Sequence, residues 1–378
     1  MITNRKRKKK LDLILTPLKI GVLNTHILNQ LNSALDINLA RLKCLTLLVS
    51  SLLRHRTVNL TILATQNVTG AKNESCYRRF QDFFLKGPIP LMAIGKFILN
   101  KIPKPSEGWT LSMDRTNWKY GKRHINILTI GVVVNNVAIP IAWRVLPQKT
   151  KRGNSNTQHR IAILKKLLKL MGPEEIYVLT MDREFGGKKW LKWLDDKGVG
   201  YIVRIKNNIN IGKKAAREYQ VTRKSGGRNR KELWGMKVFF ASKVIQSKGR
   251  RDSHLYIVSN RFSGKEALKL YQKRWGIEQL FSHLKKRGFD LEATHMTNAA
   301  KLEKLFALVT LAFLFSFGWG CHLRATRKVT KALKRKSLFR QGLEDILRLL
   351  SNPHLPVEEF RDFVRWLNQP IYSSIFIV

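Results

Sequence analysis

Between Trp109 and Ile205 the chain spells out one order of elements, and few folds accept that order. Trp109 to Asp114 reads as a strand. Ile125 to Val134 and Val137 to Val145 are apolar runs joined by Asn135-Asn136, a pair that tolerates the φ > 0 of a two-residue hairpin turn. A polar loop at Gly153 to Asn156 leads into a helix over Gln158 to Met171, which Gly172-Pro173 stops. Ile176 to Met181 is another apolar strand, ending in Asp182. A helix over Lys188 to Lys197 and a strand over Gly200 to Ile205 complete the set. Such an alternation of strand and helix periods predicts a mixed α/β sheet.

Two of these strands close on a carboxylate followed by arginine. Asp114 lies in Leu111-Ser-Met-Asp-Arg-Thr-Asn-Trp and Asp182 in Val178-Leu-Thr-Met-Asp-Arg-Glu-Phe. A bare charge at the end of a buried strand carries a large desolvation cost. Either an arginine pairs with the carboxylate or a cation binds it. One such aspartate is more often structural. Two of them, with Glu278 on a helix able to pack across the sheet, favour a metal. Hard oxygen ligands with no His or Cys cluster suit Mg²⁺ or Mn²⁺ rather than Zn²⁺. His283 and His295 read as core or surface residues.

Glu278 belongs to a stretch, Tyr271 to Arg287, that reads as one helix stopped by Gly288. At helical spacing Tyr271, Arg274, Glu278 and Lys285 fall within an arc of roughly 60°. Ile277, Leu280, Phe281 and Leu284 gather beside them as a buried face. The spacing Tyr-x2-Arg-x3-Glu-x6-Lys, with Trp275 after the arginine, resembles the signature of bacterial insertion-sequence transposases of the "insertion sequence four" family. The resemblance covers Trp109 to Asn298 and includes the Asp182-Arg-Glu-Phe and Gly153-Asn-Ser-Asn segments. It implies a ribonuclease-H-like catalytic fold with a β-rich insertion before the glutamate helix. It further implies that Asp114, Asp182 and Glu278 are catalytic and bind metal, two ions in the family's manner. Tyr271, Arg274 and Lys285 then contact DNA phosphates, with Trp275 beside them, stacking or, as favoured here, packing.

Charge points the same way. With 71 Lys+Arg against 25 Asp+Glu the net charge is +46, which self-repels unless a polyanion neutralises it. The cations are spread through apparently folded segments, which favours double-stranded DNA over a membrane surface. Three cysteines without a Cys-x-x-Cys pair fit a reducing cytoplasm and no zinc module. No signal peptide is evident. The most apolar run, Leu305 to Trp319, is shorter than the roughly 18 residues of a membrane span and reads as a buried helix.

The chain therefore divides, in expectation, into a helical basic DNA-binding region at 1–106, a first catalytic part at 107–206 and a basic β-rich insertion at 207–262. A second catalytic part at 263–322 and a C-terminal helical region at 323–378 follow. In the first region, Val58 to Phe84 carries a helix, a turn at Thr69-Gly70 and a second helix with Tyr77, Arg78 and Arg79. That is the pattern of a helix-turn-helix reader and equally of an ordinary αα-hairpin; the surrounding charge favours DNA. Pro103, Pro105 and Gly108 mark a linker. Lys206 to Arg251 holds fourteen Lys+Arg against two Asp+Glu, around a Ser225-Gly226-Gly227 turn, and is expected to track DNA backbone. The leading reading is a transposase that binds inverted-repeat ends and target DNA as a homodimer, then cuts and joins strands. The alternatives are a nuclease with the same site and a DNA-binding protein descended from a transposase.

Overall fold

The computed structural model describes residues 18–65, 70–147, 155–219, 225–226, 229–245, 253–327, 330, 334–352 and 354–369. The chain forms two compact units. One is Lys104–Leu280; the other joins both chain ends, Met1–Pro103 with Phe281–Val378. This partition differs from the five expected segments. Residues 1–106 do not stand alone, because their helices share a core with helices from the C-terminal third.

The chain opens with α1 (residues 18–32), α2 (Leu39–His55), α3 (Leu60–Ala64), α4 (Asn73–Leu85) and α5 (Leu91–Asn100). Asn38 and Asn59 cap α2 and α3 by accepting from the backbone N–H two residues on. The α4 helix buries Cys76, Phe80, Phe83 and Phe84 and leaves Arg78 and Arg79 exposed. Thr69 of the expected turn lies outside the described residues; Gly70 has φ 72°.

The second unit is built on a sheet of strands β1 (Trp109–Tyr120), β2 (Arg123–Val134), β3 (Val137–Val145), β4 (Ile176–Met181) and β5 (Tyr201–Arg204). The Asn135-Asn136 turn takes φ 46° and 61°, as a tight hairpin requires. Strands β1, β2 and β3 are antiparallel, while β4 pairs parallel to β1 and β5 parallel to β4. Helices α6 (Thr157–Leu168) and α7 (Lys188–Asp196) follow β3 and β4. The strand order β3-β2-β1-β4-β5 with these crossovers is compatible with a ribonuclease-H-like domain.

A short pair, β6 (Asn210–Ile211) and β7 (Lys214–Ala215), stands apart from the sheet. Strands β8 (Ser225–Gly226), β9 (Lys231–Leu233), β10 (Met236–Ile245) and β11 (Ser253–Ser259) extend it beyond β5. Ser225 and Gly226 thus pair with Ser242 and Ala241 instead of forming the expected turn, and Gly227 lies outside the described residues. Of the expected polar loop, Gly153 and Asn154 also lie outside them.

Two expectations change around the site. First, β1 does not stop at Asp114. It continues to Tyr120 because Thr116 and Trp118 stay buried while Asn117 and Lys119 face out, and β2 pairs with it throughout. Second, the expected single helix over Tyr271 to Arg287 is two, α8 (Gly264–Gln272) and α9 (Trp275–Leu284). Between them the N–H groups of Lys273, Arg274, Gly276 and Ile277 donate three residues back instead of four, which tightens the chain into a turn. The α8 helix buries Leu268, Leu270 and Tyr271 with Ile202 and Ile257 of the sheet.

The remaining helices are α10 (Ala299–Thr326), α11 (Leu338–Ser351) and α12 (Val357–Asn368). At 28 residues α10 exceeds the expected run and passes a membrane span's length and composition test. Yet its apolar window is 94% buried inside the protein, which makes it a core helix. Lys304 on α10 donates to the carbonyls of Phe83, Phe84 and Lys86, the free end of α4. Gly320 of α10 and Gly342 of α11 let these helices cross with backbones nearly touching; a Cβ on Gly342 would sit 1.8 Å from the Ser316 carbonyl oxygen.

His283 on α9 is buried between Phe339 (ring centroids 4.6 Å apart) and Phe313 (6.2 Å). Burial, helped by Arg287, pushes its pKa down to about 4. A depressed histidine stays neutral in the fold and charges more readily when unfolded. Stability is therefore lost as pH falls from about 6.5 toward 4, by up to about 1.4 kcal/mol per pH unit. Urea unfolding of His283→Phe is expected to show a shallower loss over that window than the parent chain; equal slopes contradict this.

Candidate active site

The register of β1 and β4 places the two aspartates. Their last parallel pair is Met113↔Met181, so Asp114, still within β1, and Asp182, one residue past the end of β4, follow it on adjacent chain segments. Neighbouring strands lie about 4.8 Å apart, and register-matched residues on parallel strands share a face. The carboxyl of Asp114 accepts from the Arg115 backbone N–H at 2.7 Å. Burial, with Glu184 and Asp182 acting the same way, pushes its pKa up to about 6, against the pull of that N–H and of Arg274.

Glu278 enters from α9, which Gly276 lets approach the β2–β3 hairpin. A Cβ on Gly276 would stand 3.1 Å from the Asn136 carbonyl oxygen and 3.1 Å from the Ala138 nitrogen, both backbone atoms that cannot turn aside. Arg274, in the turn before α9, joins the acids. Its guanidinium donates to Asp114 Oδ2 at 3.2 Å and, from the other terminal nitrogen, to Glu278 Oε1. The hydroxyl of Tyr271 donates to Asp182 Oδ1 at 3.5 Å, and burial raises its pKa. Asp182 also faces Arg204 at 3.8 Å.

The structure adds a fourth carboxylate that the sequence reading does not single out. Glu184 stands in the Asp182-Arg-Glu-Phe segment, and Arg115 grips both its oxygens at 3.1 and 3.3 Å. Arg115 also reaches Asn126 at 2.5 Å. Buried Arg160 donates to the Glu184 carbonyl at 2.9 Å and to Ser155, which pins this turn. The repeated Asp-Arg at both strand ends was the available signal.

The other expected residues divide. Trp275 does not pack: it is 56% exposed. Lys285 lies in the helical unit and pairs with Glu292 at 2.8 Å. Arg78 and Arg79 are exposed on α4 of that unit. His295 is exposed.

Beside Asp182 runs a polar groove of about 590 Å³, lined by Arg183, Arg204, Lys206, Asn207, Asn208, Arg217, His254 and Tyr256. The Asn207 carbonyl accepts from the Arg217 N–H and the Tyr256 carbonyl from the Ile205 N–H, which fixes its walls. Arg183, Lys206 and Arg217 form no ion pair among the described residues. The rings of His254, Tyr256 and Phe240 stack in series.

Asp114, Asp182 and Glu278 offer hard carboxylate oxygens, the donor set of Mg²⁺ or Mn²⁺. Among the described residues no three His, Cys, Asp or Glu groups are arranged to hold an ion. Two of the three acids already share a cation, the Arg274 guanidinium, so the place between them is built for positive charge. In chemistry the residues fit a divalent ion.

Residues 101–315, more than half of the chain, match the family model of the transposase DDE domain. No curated protein matches the chain. The matched span includes β1, β4 and α9, and DNA is the partner such a domain implies. A match of this extent settles membership: the chain belongs to the transposase DDE-domain family.

Proposed function

We propose that this chain is an insertion-sequence transposase of the "insertion sequence four" type, which binds the inverted-repeat ends of its element, cuts there and joins the freed end to target DNA. The observation that supports this best is the β1–β4 register, which sets Asp114 and Asp182 side by side, with Glu278 linked to Asp114 through Arg274. These three acids are the ligands for Mg²⁺ or Mn²⁺. Bound there, such ions supply Lewis-acid stabilisation at phosphorus and an oxygen nucleophile at neutral pH. Tyr271 orients Asp182 through its hydroxyl. The groove beside Asp182 takes the DNA backbone, its guanidinium and ammonium groups facing phosphates. The exposed ring of Trp275 offers a face for a base. Arg78 and Arg79 contribute to holding the ends, and Lys285 joins them once it leaves Glu292.

The decisive experiment is end cleavage on a labelled inverted-repeat duplex. Asp114→Ala, Asp182→Ala and Glu278→Ala are each expected to fold and bind DNA while cleavage falls by about 10³-fold or more. Near-normal cleavage by any one of them removes that residue from the site. Gly276→Ala acts at one remove. It pushes α9 off the hairpin by a few tenths of an ångström and is expected to lower cleavage by about tenfold with DNA affinity unchanged. Unaltered cleavage shows that the close approach does not set Glu278.

The groove has its own test. Replacing Arg183, Lys206 and Arg217 together with alanine is expected to flatten the salt dependence of DNA binding. The log–log slope should fall by about 0.9 for each phosphate no longer neutralised. An unchanged slope puts the backbone elsewhere.

A further inference from the structure

We propose that Arg274 holds the place of the metal ion until DNA draws it away, so that metal loading and DNA binding are coupled through this one side chain. The proposal rests on the reading of Asp114, Asp182 and Glu278 as cation ligands.

The guanidinium is 12% exposed and contacts carboxylates from two different elements, Asp114 of β1 and Glu278 of α9. The Tyr271 ring lies 5.8 Å from it. The other arginines of the site do something else. The Arg115 guanidinium grips Glu184, and Arg204 faces Asp182 at 3.8 Å with both side chains 31% exposed. Arg274 spans two of the three acids.

A divalent ion and this guanidinium cannot share the space between Asp114 and Glu278, because like charges at that distance repel strongly in a partly buried site. An entering ion must therefore displace Arg274. A displaced guanidinium without a partner is costly at low exposure, so the ion alone binds weakly. A phosphodiester supplies the missing partner, since an arginine fork matches phosphate oxygens as it matches a carboxylate. With Arg274 held by the phosphodiester, Asp114 and Glu278 would be free to hold the ion. The backbone suits such an exchange. Arg274 sits in the two-residue turn between α8 and α9, so its side chain can swing without unwinding a helix. Its carbonyl meanwhile stays near Ser112 Oγ at 3.5 Å.

Coupling of this kind is reciprocal: DNA must tighten metal binding by the factor by which metal tightens DNA binding. The test is Mn²⁺ uptake by the full chain, read from the free-Mn²⁺ electron paramagnetic resonance signal, without and with duplex DNA. Asp114→Asn with Asp182→Asn in one chain serves as the blank for Mn²⁺ held by DNA itself. The wild type is expected to bind Mn²⁺ weakly alone and about tenfold or more tightly with DNA. Arg274→Gln is expected to bind tightly without DNA, with less than about twofold further gain. Arg274→Lys keeps the charge and is expected to stay weak.

Arg274→Gln no tighter than wild type without DNA overturns the proposal, and so does wild-type Mn²⁺ affinity indifferent to DNA. The second result needs no variant and stands even if Arg274→Gln misfolds. Wild type that takes up Mn²⁺ only to the level of the blank, with or without DNA, overturns the cation-ligand reading itself. Wild type that loads with DNA while Arg274→Gln behaves identically overturns the role of Arg274 alone.

Discussion

The candidate site depends on one backbone interaction, the parallel pairing of β1 with β4. Two strands in parallel present matched residues on one face, and here the matched pair Met113↔Met181 is followed by an aspartate on each side. Carboxylates on adjacent strand ends repel each other, and burial adds to the cost: the pKa of Asp114 is pushed up to about 6 chiefly by burial, with Glu184 and Asp182 adding less. Such a pair persists only where something positive faces it. In this chain that role falls to arginines drawn from a turn and a strand end.

Around that pair the sheet unit serves position. The Asn135-Asn136 turn folds β3 back onto β2, which itself pairs with β1, and its backbone makes the wall against which Gly276 sets α9. The α8 helix packs Leu268, Leu270 and Tyr271 on the sheet and so delivers Tyr271 to Asp182. The helical unit has a different foundation, a largely buried α10 whose crossing with α11 depends on Gly320 and Gly342.

Much of this was legible in the residues. Short apolar runs gave the strands, Asn-Asn gave the hairpin, and Asp-Arg at two strand ends gave the pair of acids. What failed did so for tertiary reasons. The break at Lys273-Arg274 is invisible to a helical wheel, which reads only spacing; beside it Gly276 lies close to another segment's backbone. The extension of β1 past Asp114 combines the short alternation of Thr116 to Lys119 with pairing to β2, and the pairing is what the residues alone do not announce. The exposure of Trp275 and the engagement of Arg274 with two acids are matters of side-chain direction, which spacing does not fix. The shared core of the chain's two ends likewise depends on contacts between residues hundreds of positions apart.

The central claim is that the acids at the β1–β4 edge ligate a divalent ion that drives strand cleavage. The most direct test is a change of metal preference. Asp114→Cys replaces a hard oxygen with a soft sulfur, which Mn²⁺ tolerates better than Mg²⁺. The account predicts that this variant cleaves the labelled end in Mn²⁺ and fails in Mg²⁺, while the parent chain works in both. Equal cleavage by Asp114→Cys in the two metals, or equal failure in both alongside an active parent, would contradict direct ligation by Asp114.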